Sequence, residues 1–297
     1  MIVFDGNRKL YKANLHLHTN LSDGRKSPEE ARAIYRENGY DFLAITDHRK
    51  VSTKTMTDGD LISIQSIEFD FFLIGQVIHI VGVGVDDSIT EMLPKITSPQ
   101  RAIDAIHVAD GLAILAHPAW SLNTSEVING LRGLDAVEVY NTVSGMPFNR
   151  DRADSSAIID VAFSQGKLLN LVASDDAHFY TGDECKSYVM VAAKEKTVEA
   201  FKEAIRAGDF YATQGPRFEK IEFDGNTLKV WTSPVKFISF PTDLPWGGPT
   251  ATQTGDGLTY AEYTINRNFP LPHKFIRILL VDENGKRAWS NPIDLTK

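Results

Sequence analysis

From residue 13 onward, short runs of β-branched and apolar residues alternate with longer stretches whose apolar positions recur every three or four residues. Residues 13–18, 41–46, 61–69, 78–85, 112–116, 136–140 and 168–174 read as strands. Between several of them the pattern predicts helices. Ser27-Pro28-Glu29-Glu30 is a capping-box start with proline at the first helical position, and Gly39 stops that helix after about three turns. Residues 99–109 and 151–165 predict two more, each closely followed by glycine, Gly111 and Gly166. Strands alternating with helices imply a parallel α/β sheet, open or closed into a barrel. After Thr213-Gln214-Gly215-Pro216 the pattern changes. Residues 217–223 and 227–231 flank the hairpin signal Asp224-Gly225-Asn226, and 235–240, 258–266 and 275–281 read as further strands, with a turn at Asn284-Gly285. The expected organisation is therefore an α/β unit over residues 1–214 and a small all-β, sandwich-like domain over 215–297.

Composition narrows the class. The chain has 297 residues, 42% of them hydrophobic, which is ordinary for a packed globular protein and too apolar for disorder. A single cysteine, Cys185, can supply neither a disulfide nor a thiolate metal site, so any metal must be held by His, Asp and Glu. A formal net charge of -8 argues against a protein whose main partner is nucleic acid. Residues 1–10 lack the basic start and apolar core of a secretory signal, and no apolar run nears the roughly 18 residues that span a bilayer. A cytoplasmic protein with no membrane partner is expected. The oligomeric state stays open.

The candidate chemistry lies where the strands end. His16 and His18, Asp47 and His48, Glu68, His117, Glu138, and Asp175, Asp176 and His178 all fall at or beside strand ends, and parallel α/β proteins build their sites at the carboxyl ends of strands. Many strand ends sharing one chemistry favour a ring over a crevice, hence a barrel. In His16-Leu17-His18, alternate residues point to one face and can grip one ion; on its own, such a pair is also a common accident. Asp23, in Ser22-Asp23-Gly24, reads either as a carboxylate folded back toward the strand end or as an ordinary loop aspartate. Asp47 could orient the His48 ring. Glu68 interrupts an apolar strand and, if buried, needs either a basic side chain or bridged metals. His79 and His117, taken singly, read more readily as hydrogen-bonded core histidines than as ligands. Asp176-Ala177-His178 repeats the alternate-residue geometry.

These pieces resemble the PHP (polymerase and histidinol phosphatase) domain family. The resemblance is carried by His16-Leu17-His18-Thr19 with Ser22-Asp23-Gly24, Ala44-Ile45-Thr46-Asp47-His48, Glu68, His79-Ile80-Val81-Gly82, Ala116-His117-Pro118 and Ser174-Asp175-Asp176-Ala177-His178, in order over residues 13–178. The double aspartate in the last motif, the segment 208–215 and the β-rich tail are similar to one branch of that family. The resemblance implies a distorted seven-stranded (β/α) barrel that binds two or three divalent ions. It implies that His16, His18, Glu68 and Asp176 hold a first ion. Glu68 would bridge to a second held by His79 and His117, and Asp23, His48 and His178 would hold a third. Imidazole and carboxylate ligands without thiolate suit Mn, Fe or Zn alike.

The activity expected is hydrolysis of a small phosphate ester by a water acidified in a di- or trinuclear centre, with Glu68 bridging and His48 or His178 protonating the leaving oxygen. Arg49 and Lys50 are candidates for holding phosphate, against the plainer reading of two solvated loop cations, and Arg25 and Lys26 are weaker candidates. Divalent ions would turn a site built on three carboxylates locally cationic despite the acidic chain. Two alternatives stand beside this reading: a carbamate, amide or ester hydrolase using the same metals, and a PHP module that serves as an interaction or structural domain.

Overall fold

The computed structural model describes residues 2–51, 53–73, 75–246, 248, 250–266 and 273–297. The first nine strands are β1 (Ile2–Asp5), β2 (Tyr11–Asn14), β3 (Phe42–Ile45), β4 (Met56–Asp58), β5 (Leu61–Leu73), β6 (Gln76–Val83), β7 (Leu112–Leu115), β8 (Ala136–Asn141) and β9 (Asn170–Ser174). Seven of them form a run in the order β2-β3-β5-β6-β7-β8-β9. Both ends of this run are parallel, but β6 is antiparallel to β5 and to β7. Only residues 74 and 75 separate β5 from β6, far fewer than the dozen or so a parallel crossover needs. The fold is mixed α/β, as expected, but the all-parallel ring is not found.

Nor does the ladder close into a seven-stranded barrel. The outer neighbour of β2 is β10 (Tyr188–Val191), which is antiparallel to it. β2 and β9 meet only beyond their ends, through an isolated bridge between Leu17 and Ala177. There the His18 N–H donates to the Ala177 carbonyl at 2.9 Å and the Asp176 N–H to the His16 carbonyl at 2.8 Å. That single junction sets two of the histidine-bearing segments side by side.

The helix over Pro28–Glu37 starts as the sequence predicts. The Glu30 N–H donates to the Ser27 side chain, the Glu30 carboxylate accepts the Ser27 N–H, and Gly39 adopts φ 72° just beyond the C-terminus. The helix expected over 151–165 begins only at Ser156. Arg150 and Asp151 are left-handed, and the Asp154 carboxylate accepts the Ser156 N–H while its backbone bridges to Tyr140.

The sheet continues past residue 214. After β10 come β11 (Phe210–Thr213), β12 (Phe218–Phe223), β13 (Thr227–Ser239), β14 (Thr252–Thr264), β15 (Phe275–Ile276), β16 (Leu279–Val281), β17 (Arg287–Ser290) and β18 (Ile293–Asp294). β11 pairs with β10 on one side and β17 on the other, so one sheet of sixteen described strands runs through both halves. Phe275 and Trp289 enter the main core, where the Trp289 ring centroid lies 5.5 Å from that of Tyr140. Buried Arg277 grips Asp160 with two hydrogen bonds of 2.8 and 2.6 Å, tying the tail to the helix over Ser156–Ser164. No described helix is long and apolar enough to cross a membrane.

Candidate metal centre

All nine motif positions converge on one site beyond the carboxyl ends of β2, β3, β7 and β9, with Glu68 contributed from the middle of β5 and His79 from the first half of the reversed β6. Four overlapping groups each keep their ligand atoms within 4.8 Å of one another: His18, Asp23, His48 and His178; His16, Glu68 and His117; His16, His18 and Asp176; and His48, Glu68 and His79. The third group and its Glu68 neighbour match the expected first set, since Glu68 lies 3.3 Å from both His16 Nε2 and His18 Nε2. His79 Nδ1 and His117 Nε2 both face Glu68 Oε1, at 2.9 and 3.6 Å, while the tightest groups also bring His117 beside His16 and His79 beside His48.

Local structure explains the convergence. His16 and His18 follow β2 two residues apart, and their Nε2 atoms lie 3.2 Å from each other. His48 bridges in parallel register to Glu68, which places the end of β3 against the middle of β5. The Glu68 Oε1 is 2.9 Å from His79 Nδ1 on β6. Asp23 reaches the cluster because its loop folds back onto the strand: a Cβ on Gly24 would lie 2.3 Å from the His18 carbonyl oxygen, so only glycine fits that approach. Asp47 does not orient the His48 ring. Its carboxylate accepts the Thr19 N–H at 2.8 Å, the Thr19 hydroxyl at 2.6 Å and the Ser22 hydroxyl at 2.7 Å, and so holds the loop that carries Asp23. His117 and Asp176 adopt φ of 31° and 54°, strained conformations of the kind that cluster at functional sites.

The hydrogen bonds around the rings choose which nitrogens face inward. The Ser121 hydroxyl lies 2.8 Å from His117 Nδ1, and the Asp176 carbonyl lies 2.7 Å from His178 Nδ1, which leaves each Nε2 toward the cluster. Residues outside the nine positions do much of this holding. Glu138 contacts His16 Nδ1 at 2.9 Å, and Asn141 donates to both Glu138 and Asp176. Glu138 stands out in the sequence as a strand-end carboxylate, whereas Asn141 carries no sequence signal of its own.

Histidines and carboxylates in the cluster shift one another in opposite directions. Burial lowers the His18 pKa, but the close Asp176 and Glu68 carboxylates outweigh this and carry it up to about 9. His16 is likewise raised well above its ordinary value by Asp176, Glu138 and Glu68 against the effect of burial. Glu68 and Asp176 are pushed the other way: desolvation raises them, yet the surrounding histidines hold both well below the usual carboxylate range. Burial lowers His48, with only partial compensation from Glu68. Three buried polar atoms, His48 Nδ1, Glu68 Oε2 and Asp176 Oδ1, make no well-directed hydrogen bond, although ligand atoms of neighbouring side chains stand 3.0–3.3 Å away. Buried polar atoms are almost always satisfied by directed hydrogen bonds, so three exceptions packed against one another fit a site completed by metal, and imidazole plus carboxylate donors suit Mn, Fe or Zn.

A cavity of about 300 Å³ opens over this floor, with Trp120, Val143, Phe148 and Phe179 among its walls. Arg49 and Lys50, expected as phosphate holders, are not among the residues that line it. Arg49 is exposed and pairs with Asp70 at 2.9 Å, and Lys50 donates to the Leu21 carbonyl. Arg25 stands at the rim, its guanidinium 4.8 Å from the centre of the Phe179 ring.

No family model matches the chain. An uncharacterized protein of Methanocaldococcus jannaschii is 28% identical over 151 residues, a match covering 44% of this chain and 81% of that protein. Among solved structures, an amidohydrolase of Chromobacterium violaceum with bound sulfate and no metal is 15% identical, covering 58% of this chain and 89% of its own, with a TM-score of 0.42. A two-domain protein of Bacteroides vulgatus, containing a predicted PHP-like metal-dependent phosphoesterase, covers 99% of this chain and 98% of its own at 12% identity, with a TM-score of 0.53. Over almost its whole length the chain shares the fold of that two-domain protein, although the closed seven-stranded barrel that the motifs' resemblance implies is not found.

Proposed function

We propose that the chain is a metal-dependent phosphoesterase that hydrolyses a small phosphate ester. The observation that carries this reading is the cluster of nine ligand-type side chains, three of whose buried polar atoms make no well-directed hydrogen bond. The fold shared with a protein described as containing a PHP-like phosphoesterase supports it. His16, His18, Glu68 and Asp176 would hold one divalent ion, His79 and His117 with Glu68 a second, and Asp23, His48 and His178 a third. Bound there, such ions supply Lewis-acid stabilisation of a phosphoryl oxygen and a water of lowered pKa. His48 and His178, with 26% and 18% of their side chains exposed, are the most open of the six clustered histidines and the best placed to pass a proton to a leaving oxygen. Trp120, Val143 and Phe179 limit water and favour a leaving group with an apolar surface. In this reading the chemistry belongs to residues 1–214, and 215–297 brace the fold.

Hydrolysis of a carbamate, amide or uncharged ester is the second reading. The observation that favours it is the cavity lining, which includes neither Arg49 nor Lys50. The Mn-loaded protein assayed on p-nitrophenyl phosphate and on a nitrophenyl carbamate separates the two. Turnover of the phosphate is expected; turnover of the carbamate alone would replace the first reading with the second, and turnover of neither by a protein with bound metal would favour an interaction module.

A further inference from the structure

Glu138, on β8, is only 1% exposed, and its two oxygens have separate partners. Oε2 accepts the main-chain N–H of His117 at 2.8 Å and Asn141 Nδ2 at 2.9 Å. The Asn141 amide cannot turn round, because its Oδ1 accepts the Ser144 N–H at 3.1 Å, and its Nδ2 also donates to Asp176 Oδ2 at 3.2 Å. Two fixed donors therefore keep Oε2 an acceptor. The other oxygen, Oε1, lies 2.9 Å from His16 Nδ1. A carboxylate accepting these bonds has no proton to give, so His16 must carry hydrogen on Nδ1. When the ring is neutral, its lone pair is then on Nε2, which faces Asp176 Oδ1 at 3.1 Å and Glu68 Oε1 at 3.3 Å.

We infer that Glu138 is a positioning residue that fixes the His16 tautomer, so that Nε2 is the metal-binding nitrogen. Through Asn141 and the His117 backbone it also ties together ligands that follow β2, β7 and β9. This inference rests on the metal-centre reading above. It gives a prediction that packing alone would reverse. In Glu138→Gln the side-chain oxygen must stay with the His117 and Asn141 donors, so the new amide nitrogen faces His16 Nδ1 and donates to it. That forces hydrogen onto Nε2 and removes the ligand lone pair, although glutamine has nearly the same volume. Glu138→Ala leaves a gap but imposes no tautomer.

The test uses zinc as a diamagnetic probe, with Zn affinity measured by chelator competition and ring protonation read by nitrogen-15 NMR of histidine-labelled protein. In the Zn-loaded wild type, His16 should show hydrogen on Nδ1 and metal on Nε2. Glu138→Gln should lose about 10–100-fold in Zn affinity, at least as much as Glu138→Ala. Wild-type affinity in Glu138→Gln, or a Zn-loaded wild type with metal on Nδ1, would overturn the inference while leaving the metal centre intact. A wild type that takes up no Zn would overturn both. Should Glu138→Gln fail to fold, the wild-type spectrum decides alone.

Discussion

Asp175 and Asp176 are neighbours in sequence, both buried, and their surroundings could hardly differ more. The Asp175 carboxylate accepts the Tyr35 hydroxyl at 2.7 Å and the N–H groups of Cys185, Lys186 and Ser187 at 2.8, 2.9 and 2.8 Å. Asp176 faces the opposite side of the strand end among four histidines, and its Oδ1, 3.1 Å from both His16 Nε2 and His18 Nε2, makes no well-directed hydrogen bond. A saturated carboxylate is a structural fastener: it anchors the loop after β9 and has nothing left to offer. An unsaturated one among unsaturated neighbours stores a binding capacity, at a cost to stability that a bound cation repays. The same sequence doublet thus serves packing on one face and chemistry on the other.

The sharpest way to break this comparison is to remove metal. Chelation should lower hydrolysis by on the order of 10³-fold or more, and restoring Mn should return it; activity that survives exhaustive chelation would sink the distinction. Exchanging the two aspartates comes next. Asp176→Asn should weaken metal binding by at least about tenfold while the fold survives. Asp175→Asn should instead keep its metal and lose stability, because either orientation of the new amide sets its nitrogen against existing donors, at about 1–3 kcal/mol for each one left unsatisfied. Metal titration and thermal melts of both variants decide it, and a metal loss in Asp175→Asn larger than in Asp176→Asn would reverse the assignment.

Lowering the pH should have a graded effect. In the metal-free protein His16 and His18 are raised, the latter to about 9, so they hold protons through neutrality and a metal must displace them. Metal affinity should fall by about tenfold per pH unit for each displaced proton between pH 8 and 6. The signs also define the stability window of the metal-free form. The histidine contribution is full below their ordinary 6.5 and, for His18, lost as pH rises through about 9; the Glu68 contribution is full above its ordinary 4.5 and lost in acid. Chelated protein should therefore lose stability toward alkaline pH, and a flat profile there would contradict the pairing. The smallest effect is expected from Arg49→Ala. With its guanidinium committed to Asp70 away from the cavity lining, kcat/KM should change by less than about threefold, as for other exposed ion pairs.

Most of the nine convergent positions were legible because they sit in short motifs beside strand ends, where alternation and strand direction fix the side a residue faces; Glu68, in the middle of β5, and Asp23, on a loop, stood out as carboxylates in those motifs. The strand pattern was legible for the same reason. The reversal of β6 was not, because the apolar character of 61–85 hides how few residues separate two largely buried strands. The roles of Asp47, Glu138 and Asn141 were not legible either: each depends on partners tens of residues away, such as Glu138 on His16 and Asn141 on Asp176. Arg49 and Lys50 follow His48 in sequence yet do not line the cavity, because adjacency says nothing about direction, and the left-handed backbone at Arg49, φ 51°, accompanies a side chain paired with Asp70. The tail's pattern gave its strands but not their continuity with the main sheet, which is made through β11 pairing with β17.

The central claim is that these side chains form a metal centre bridged by Glu68, and metal content after Mn loading and gel filtration tests it most directly. Elemental mass spectrometry should find two or three ions per wild-type chain and at least one fewer in Glu68→Ala, since Glu68 belongs to two of the four ligand groups. A wild type without stoichiometric metal, or a Glu68→Ala variant that keeps every ion, would contradict the account.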